Sequence, residues 1–149
     1  MSLCDVFSLS SIKLHLESKT KDAVFTELLD LILADHPDYD RNEMYAAINS
    51  RESEMSTGIG SGIAVPHGYC RSIGAITGAI GISKAGVDYN SLDHKPVHLV
   101  FMVVMGEASR ENHLRVLNEV FTLINSETRA LMMAAKNPQE AYAMLSRIH

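Results

Sequence analysis

The stretch that decides the fold is Val-His-Leu-Val-Phe-Met-Val-Val, residues 97–104. It is almost entirely apolar and rich in β-branched side chains, which fit the pleated conformation of a strand. Because it lacks a polar face, it predicts a central strand that is covered on both sides. The uninterrupted apolar run, Leu99–Met105, is far shorter than the roughly 20 residues that a membrane-spanning helix needs.

Shorter strands are predicted on the N-terminal side of this segment. In two places apolar residues alternate with polar or small ones, and this period of two residues is typical of a strand. The residues concerned are Ile12, Leu14 and Leu16 in the first place, and Ile76, Gly78, Ile80 and Ile82 in the second. A further short strand is predicted over Ile63–Val65, ending at Pro66.

Two helices are predicted in the first third of the chain. Apolar residues at helical spacing favour one over Lys21–Ala34, which stops before Pro37. Asp40 followed by Glu43 is typical of an N-cap with a reciprocal carboxylate. The helix that follows is expected to bury Met44, Ala47 and Ile48.

Three more helices are predicted to close the chain, so helices precede and follow the strands. The expected apolar faces and caps are Leu114, Leu117, Phe121 and Ile124 for the first, Ser126 with Leu131 and Met132 for the second, and Asn137, Pro138 and Glu140 for the third. This order indicates a mixed sheet between helical layers.

Length and composition narrow the class of protein. The 149 residues are enough for one domain with a substantial core, and we predict a single domain over residues 1–149. With 46% hydrophobic and 21% charged residues the chain is neither disordered nor fibrous. A net charge of -5 argues against a nucleic-acid binder, which usually carries a basic face.

The cysteines and the N-terminal segment bear on the compartment. Cys4 and Cys70 match no metal or redox spacing, so we expect two reduced thiols. Residues Met1–Val6 have no basic stretch followed by a long apolar run, which is how a secretory signal begins. We therefore expect a cytoplasmic protein with no direct membrane insertion.

Residues 56–68, Ser-Thr-Gly-Ile-Gly-Ser-Gly-Ile-Ala-Val-Pro-His-Gly, hold the main candidate for chemistry. His67 lies between Pro66, which fixes the local backbone, and Gly68, which has no side chain to shield it. Imidazole has a reference pKa near ~6.5, so much of it is neutral at the pH of a cell. A neutral ring nitrogen can attack a phosphoryl group and form a labile phosphoramidate, which splits one transfer into two steps.

Other residues suit phosphoryl transfer, which needs mainly positioning and charge stabilisation. Gly58, Gly60 and Gly62 would let backbone N–H groups approach an anion, and with Thr57 and Gly68 they form a predicted phosphate loop. Arg51 can supply a cationic fork, although it also suits a solvated position at a helix C-terminus. His113 opens a predicted helix and can lie beside His67 or be an ordinary polar residue at a helix start.

The combined pattern resembles the mannitol/fructose-type enzyme IIA family of the bacterial sugar phosphotransferase system, which includes the nitrogen-regulatory enzyme IIA. The residues that carry the resemblance are Arg51-Glu52, Thr57-Gly58-Ile59-Gly60, Ile63-Ala64-Val65-Pro66-His67-Gly68, Pro96-Val97 and His113-Leu114. The resemblance extends from Ile12 to Leu145. It departs from the family at Gly106, where members often have Pro, and this leaves the loop over Gly106–Arg110 and the placement of His113 in question.

The resemblance implies an α/β fold, a three-layer α/β/α sandwich around a small mixed sheet. It implies that His67 is phosphorylated, that His113 helps to hold the phosphoryl group, and that Arg51 supports it. The implied donor is the phosphocarrier HPr or a similar protein. A IIB domain or regulatory target proteins would be the next partners, and no cofactor or metal is implied. An apolar rim around His67 with acidic residues beyond it is also expected, and residues such as Ile59, Ile63 and Val65 would belong partly to that rim and partly to the core.

Several functions stay open at this point. A nitrogen-regulatory phosphocarrier is favoured, the alternatives being a sugar-specific component that donates phosphate to a IIB domain and a regulatory binding module without obligatory transfer. A hydrolase with His67 as nucleophile lacks a carboxylate partner at a fixed spacing. His94 and His98 are four residues apart but span Pro96, so they do not indicate a zinc site.

Overall fold

The strand over residues 97–106 is the centre of a mixed six-stranded sheet. The computed structural model describes residues 2–107, 110–124 and 126–146. The strands are β1 Phe7–Lys13, β2 Gly58–Gly60, β3 Ile63–Ala64, β4 His67–Cys70, β5 Ile76–Val87 and β6 Val97–Gly106. The helices are α1 Leu3–Val6, α2 Lys21–Asp35, α3 Arg41–Glu54, α4 Arg110–Leu123, α5 Ser126–Met133 and α6 Pro138–Leu145.

The sheet order is β1-β5-β6-β3-β2, and β4 also pairs with β6. β5 runs antiparallel to β6 on one side. On the other side β3 and β4 both run parallel to β6, β3 at Leu99–Val100 and β4 further along at Val103–Gly106. Two short strands therefore share one edge of β6 in succession, and Pro66 lies in the gap between them.

Two apolar clusters, one on each face of the sheet, make the three layers. On β6 the residues Leu99, Phe101, Val103 and Met105 join one cluster, together with residues of α1, α4, α5 and α6. Val100, Met102 and Val104 join the other, together with α2 and α3. All of these β6 side chains are at most 1% exposed. The prediction of a central strand covered on both faces, inside an α/β/α sandwich, is confirmed.

The local predictions hold for most elements and need correction at three. β1 runs from Phe7 to Lys13, and it therefore ends before Leu14 and Leu16. Both leucines are buried, but neither belongs to the strand. Leu114 and Phe121 on α4 are 70% and 44% exposed, because the helix buries Val116 and Val120 beside Leu117 and Leu123 instead. Leu131 of α5 is 38% exposed, whereas its neighbour Met132 is buried.

The N-caps of α3 and α6 are the predicted residues, but the carboxylates that were expected to complete these caps have other partners. Asp40 accepts hydrogen bonds from the N–H groups of Asn42 and Glu43, and Asn137 accepts one from Glu140. Glu43 does not close its box, since its carboxylate accepts from the backbone and hydroxyl of Ser72. Glu140 accepts from the N–H of Lys136 instead. The predicted cap at Ser126 lies outside the described side chains.

Candidate functional site

The position of His67 follows from the pairing of β4 with β6. The carbonyl of Pro66 accepts a hydrogen bond from Val103 N–H at 2.9 Å, and His67 itself pairs with Val103. Because side chains alternate along a strand, His67 and Tyr69 face one side of the sheet, and Gly68 and Cys70 face the other. His67 and Tyr69 thus share the face from which α4 brings His113.

Gly68 lets α3 pack directly on β4. A Cβ atom at this position would lie 2.6 Å from the carbonyl carbon of Ala47 and 2.8 Å from its oxygen, closer than any stable contact. The glycine therefore serves the approach of a helix, not the exposure of the neighbouring histidine. Since α3 also carries Arg51, this packing fixes the distance between Arg51 and His67.

The three predicted site residues meet at one cavity of about 430 Å³. Its lining includes Arg51 from α3, His67 and Tyr69 from β4, and His113 from α4. The rings of His67 and His113 meet edge to face, with their centroids 5.9 Å apart and their planes at 89°. The departure at Gly106 does not remove His113 from the site, although Ala108 and Ser109 of that loop lie outside the described residues.

His67 is held with a defined protonation pattern. Its Nδ1 lies 2.8 Å from the carbonyl oxygen of Val65, so Nδ1 carries the proton and donates to it. Burial lowers the pKa of His67, the Val65 carbonyl opposes that shift, and the charge of Arg51 reinforces it. The neutral form with a lone pair on Nε2 is consequently favoured, which is the form that a nucleophile requires.

His113 has its own partner. Its Nδ1 hydrogen-bonds to the Tyr69 hydroxyl, and the two rings stack with centroids 4.7 Å apart. Burial lowers the pKa of His113, and the neighbouring His67 lowers it further. Tyr69 therefore orients the second histidine, although the motif did not single it out. Strand alternation gave the signal, because Tyr69 lies two residues after His67.

Arg51 is partly buried at the wall of the cavity. One of its terminal nitrogens donates to the Met55 carbonyl at 2.9 Å, which holds the side chain along the end of α3. The guanidinium keeps further donors for an anion, since it carries five N–H groups. The exposed carboxylate of Glu54 also borders this cavity.

A buried carboxylate, that of Glu52, anchors the segment that leads to His67. It accepts hydrogen bonds from the Thr57 N–H at 3.0 Å and the Thr57 hydroxyl at 2.6 Å, and it forms an ion pair with Lys21 at 3.1 Å. The Thr57 hydroxyl in turn accepts from Tyr89 at 2.7 Å. Glu52 and Ile48 are four residues apart on the buried face of α3. This helical spacing is the feature of the sequence from which a buried, structural role for Glu52 could have been predicted.

Thr57 continues the chain of contacts to the candidate nucleophile. Its carbonyl accepts a hydrogen bond from the Val65 N–H at 3.0 Å, and the Val65 carbonyl accepts from His67. Thr57 is only 3% exposed and does not line the cavity. Its contacts support the peptide that orients His67.

Three glycines of the predicted phosphate loop lie away from the His67 cavity. Gly58 and Gly60 belong to β2, and Gly62 accepts hydrogen bonds from His98 and Leu99 at the beginning of β6. His67 pairs four residues further along β6, about 13 Å away at 3.3 Å per residue. Only Gly68 among the predicted glycines lines the His67 cavity.

None of the three apolar residues that were expected partly in the rim and partly in the core lines the cavity. Ile63 and Val65 are 2% and 1% exposed and belong to the core, and Ile59 lies exposed on β2 away from the cavity. Exposed apolar side chains near the site are instead Met55, which follows α3, and Leu114, next to His113. The face of α4 that was predicted to be buried thus supplies part of the surface beside the site.

Other candidate chemistry is weaker within the described part of the chain. Both cysteines are free thiols, and burial raises the pKa of Cys70 to about 12, which makes it unreactive. Residues 2–107, 110–124 and 126–146 contain no cluster of three metal-ligating side chains and no helix that is both long and apolar enough to cross a membrane.

Comparison with known proteins agrees with this architecture. The chain is 39% identical to the fructose-specific EIIABC component of Bacillus subtilis over 92% of its length, and it spans 22% of that longer protein. It is 30% identical to the fructose-specific EIIA component of Haloferax volcanii, over 99% of both chains. The crystal structure of the nitrogen regulatory protein IIA-Ntr from Neisseria meningitidis superposes with a TM-score of 0.87 at 28% identity, over 96% of this chain and 98% of that one.

The family itself is shown by the extent of its match. Residues 5–148 match the family described as phosphoenolpyruvate-dependent sugar phosphotransferase system, EIIA 2. This range contains every element from β1 to α6 and the whole His67 cavity. The chain belongs to the EIIA 2 family of the phosphoenolpyruvate-dependent sugar phosphotransferase system.

Proposed function

We propose that this chain is a cytoplasmic phosphocarrier that accepts a phosphoryl group on Nε2 of His67 from an HPr-like protein and passes it on. The observation that carries the proposal is the hydrogen bond from His67 Nδ1 to Val65, made inside an open cavity shared with a second histidine and an arginine. With Nδ1 protonated, the lone pair resides on Nε2 and faces the phosphoryl donor.

The transfer step conserves atoms and charge without a cofactor. The Nε2 lone pair attacks phosphorus, a new N–P bond forms on His67, and the N–P bond of the donor breaks. The other ring nitrogen of the donor histidine already carries a proton, so the donor leaves as a neutral imidazole, and the positive charge of its ring passes to the ring of His67, which keeps its Nδ1 proton. The same sequence in reverse delivers the group to a IIB domain. Little covalent chemistry is asked of the protein, so positioning and charge stabilisation determine the rate.

His113 and Arg51 have complementary roles in this proposal. If the Tyr69 hydroxyl donates to His113 Nδ1, the His113 proton resides on Nε2 and can be donated to a phosphoryl oxygen. Arg51 supplies fixed positive charge and N–H donors, and charge-assisted bonds of this kind are about twice as strong as neutral ones. Gly68 sets the spacing between these groups, and Thr57 supports the peptide before His67.

Mass spectrometry after phosphorylation tests the proposal directly. The chain is incubated with phosphoenolpyruvate, enzyme I and HPr, and the modified residue is identified by peptide fragmentation under conditions that preserve phosphohistidine. We expect one phosphoryl group, confined to His67 and absent from His67→Ala. His15→Ala is the matched control because His15 is exposed and outside the cavity, and it should be modified in full. Modification of His67→Ala at the wild-type rate would refute the assignment.

We infer a nitrogen-regulatory role for the phosphorylated chain, as in the Neisseria meningitidis protein whose fold it shares. Phosphorylation adds roughly -1.5 to -2 units of charge at the cavity mouth, which repels an acidic partner and attracts a basic one. Partner capture with wild type, His67→Ala and the charged mimic His67→Asp tests this role. Binding of regulatory targets that differs between the two variants supports it, and identical binding contradicts it.

Fructose uptake is the second candidate, and the 39% identity to a fructose-specific component favours it. In that case the phosphoryl group moves from His67 to a IIB domain, and the transfer rate is high. Phosphorylated protein mixed with a fructose-type IIB domain separates the two roles. Loss of label from His67 with matching gain on the IIB domain indicates uptake, whereas retention of the label indicates regulation.

A further inference from the structure

The turn between β2 and β3 borders a second cavity, of about 360 Å³, on the far side of β3 from His67. Its lining includes Ser61, Gly62, Asp93, Lys95, His98 and Arg129. Two of these side chains, Lys95 and Arg129, are cationic, in a chain whose net charge is -5. The same glycine turn that was predicted to hold phosphate at His67 lies here instead.

Arg129 of α5 is the central feature of this cavity. Its Nε is buried and has no hydrogen-bond partner among the residues that the structure describes. One of its terminal nitrogens packs over Gly62, where a Cβ would lie 3.0 Å away, so the glycine makes room for the guanidinium. A buried donor without a partner costs about 1–3 kcal/mol, and more when the group is charged. Because Nε itself is buried, an oxyanion in the cavity would bind the terminal nitrogens of the guanidinium, one of which lies beside Gly62.

Among the described residues that line the cavity, Asp93 is the one with a carboxylate, and this carboxylate is already engaged. Asp93 accepts hydrogen bonds from the Ser91 hydroxyl at 2.9 Å and from the Lys95 N–H at 3.1 Å. The Lys95 N–H, the Ser91 hydroxyl and the Ser61 N–H all hold the pKa of Asp93 below its usual range. Since Asp93 serves the backbone of its own turn, it makes no ion pair with Arg129 in the described structure.

His98 lies against Gly62, where a Cβ would be 3.3 Å from its Cδ2. Its Nδ1 donates to the carbonyl of Ser83 at 2.8 Å, which fixes the ring. Arg129 and Lys95 together exceed the single charge of Asp93, so the cavity is net positive even with His98 neutral. A planar guanidinium, an ammonium and the Ser61 hydroxyl form a donor set suited to oxyanions.

We propose that this cavity is a second ligand site that binds an oxyanion, the phosphate or carboxylate group of a small molecule, with Arg129 as its principal donor. The site is separate from the phosphoryl-transfer site. Gly62 of this cavity precedes Ile63, which pairs with Leu99 of β6. His67 pairs with Val103, about 13 Å further along the same strand. A volume of about 360 Å³ lies within the range of small-molecule sites and exceeds that of a single ion.

An NMR titration tests this proposal in a background where His67 cannot react. Inorganic phosphate is added to the ¹⁵N-labelled His67→Ala protein at constant ionic strength and pH. We expect saturable shifts of the backbone amides of Ser61, Gly62 and His98, with a dissociation constant that rises at least about tenfold in Arg129→Gln. Shifts that grow linearly without saturation, or a dissociation constant unchanged in Arg129→Gln, would overturn the proposal.

Further variants separate binding from folding and identify the ligand chemistry. Arg115→Gln, an exposed arginine of α4 that pairs with Glu119, is the matched control and should bind like wild type. Arg129→Lys keeps the charge but loses the planar fork, so it should show intermediate weakening with an unchanged melting temperature. A parallel titration with succinate distinguishes the two sources, since tighter binding of phosphate indicates a phosphorylated ligand and tighter binding of succinate a carboxylate. If Arg129→Lys bound both anions as tightly as wild type, the assigned role of the guanidinium fork would be wrong.

Discussion

Substitution of Gly68 by alanine is the most direct test of how the site is built. The added methyl group would lie 2.6 Å from the Ala47 carbonyl carbon and 2.8 Å from the Ile48 nitrogen. Non-bonded carbon atoms prefer about 3.5–4.0 Å, so α3 must withdraw by about 1 Å. Both neighbours are backbone atoms and cannot rotate away. The helix must therefore move as a unit and take Arg51 with it.

Two effects of different size should follow from Gly68→Ala. Overpacking of this kind costs about 1–3 kcal/mol, which for a chain of this length lowers the melting temperature by about 2–12 °C. A displacement of about 1 Å in a positioning group lowers the rate of transfer by about 100-fold. The rate of ³²P transfer from phosphorylated HPr and the thermal unfolding curve measure the two effects separately, at a temperature where both proteins are folded.

Gly74→Ala is the control for this experiment. A Cβ at Gly74 would meet no atom within 4 Å, so the substitution adds the same methyl group without overpacking. We expect an unchanged transfer rate and a stability equal to or slightly above wild type. If Gly68→Ala retained both the rate and the melting temperature of wild type, the inferred contact between β4 and α3 would be refuted.

Three further outcomes follow from the same geometry. Tyr69→Phe should lower the transfer rate by about tenfold and change the tautomer of His113, which ¹⁵N chemical shifts report; an unchanged tautomer contradicts the assigned bond. Thr57→Val should cost about 2–3 kcal/mol of unfolding free energy in urea, because it removes a buried bond to a carboxylate, whereas the exposed Thr122→Val should cost less than about 0.5 kcal/mol. Since burial lowers the pKa of His67, its NMR titration midpoint should fall below ~6.5. The transfer rate should stay constant from neutral pH down to that midpoint and decrease below it. A midpoint above ~6.5 would contradict this reasoning.

The sequence predicted the layers well because burial dominates their formation. The segment 97–104 has no polar face, so it had to lie between two layers, and the helices beginning after Asp40 and Asn137 carry their own capping residues. The face of α4 was harder to assign. Leu114 and Phe121 have helical spacing, as do Val116 and Val120, and only packing against the sheet decided which pair is buried.

The structure brings the three predicted catalytic residues together, whereas most of the residues that support them were not predicted. His67, His113 and Arg51 were identified through residue chemistry and resemblance, and all three line one cavity. The sequence could not place the glycine loop, because its location depends on the register of β3 against β6, a non-local pairing that no short motif encodes. Gly62 and His67 are close in sequence, but the pairing separates them along the same edge of β6.

Pro66 accounts for this separation in physical terms. It has no N–H to donate, so the ladder on this edge of β6 is interrupted there, and its carbonyl begins the second stretch by accepting from Val103. Within the segment Thr57–Tyr69, the residues before Pro66 thus support the peptide that orients His67, through Thr57 and Val65, whereas the residues after it line the cavity. Substitutions on the two sides should consequently differ in kind. Those before Pro66 act mainly on the free energy of unfolding, and those after it act on the rate of transfer at a stability that can be measured independently.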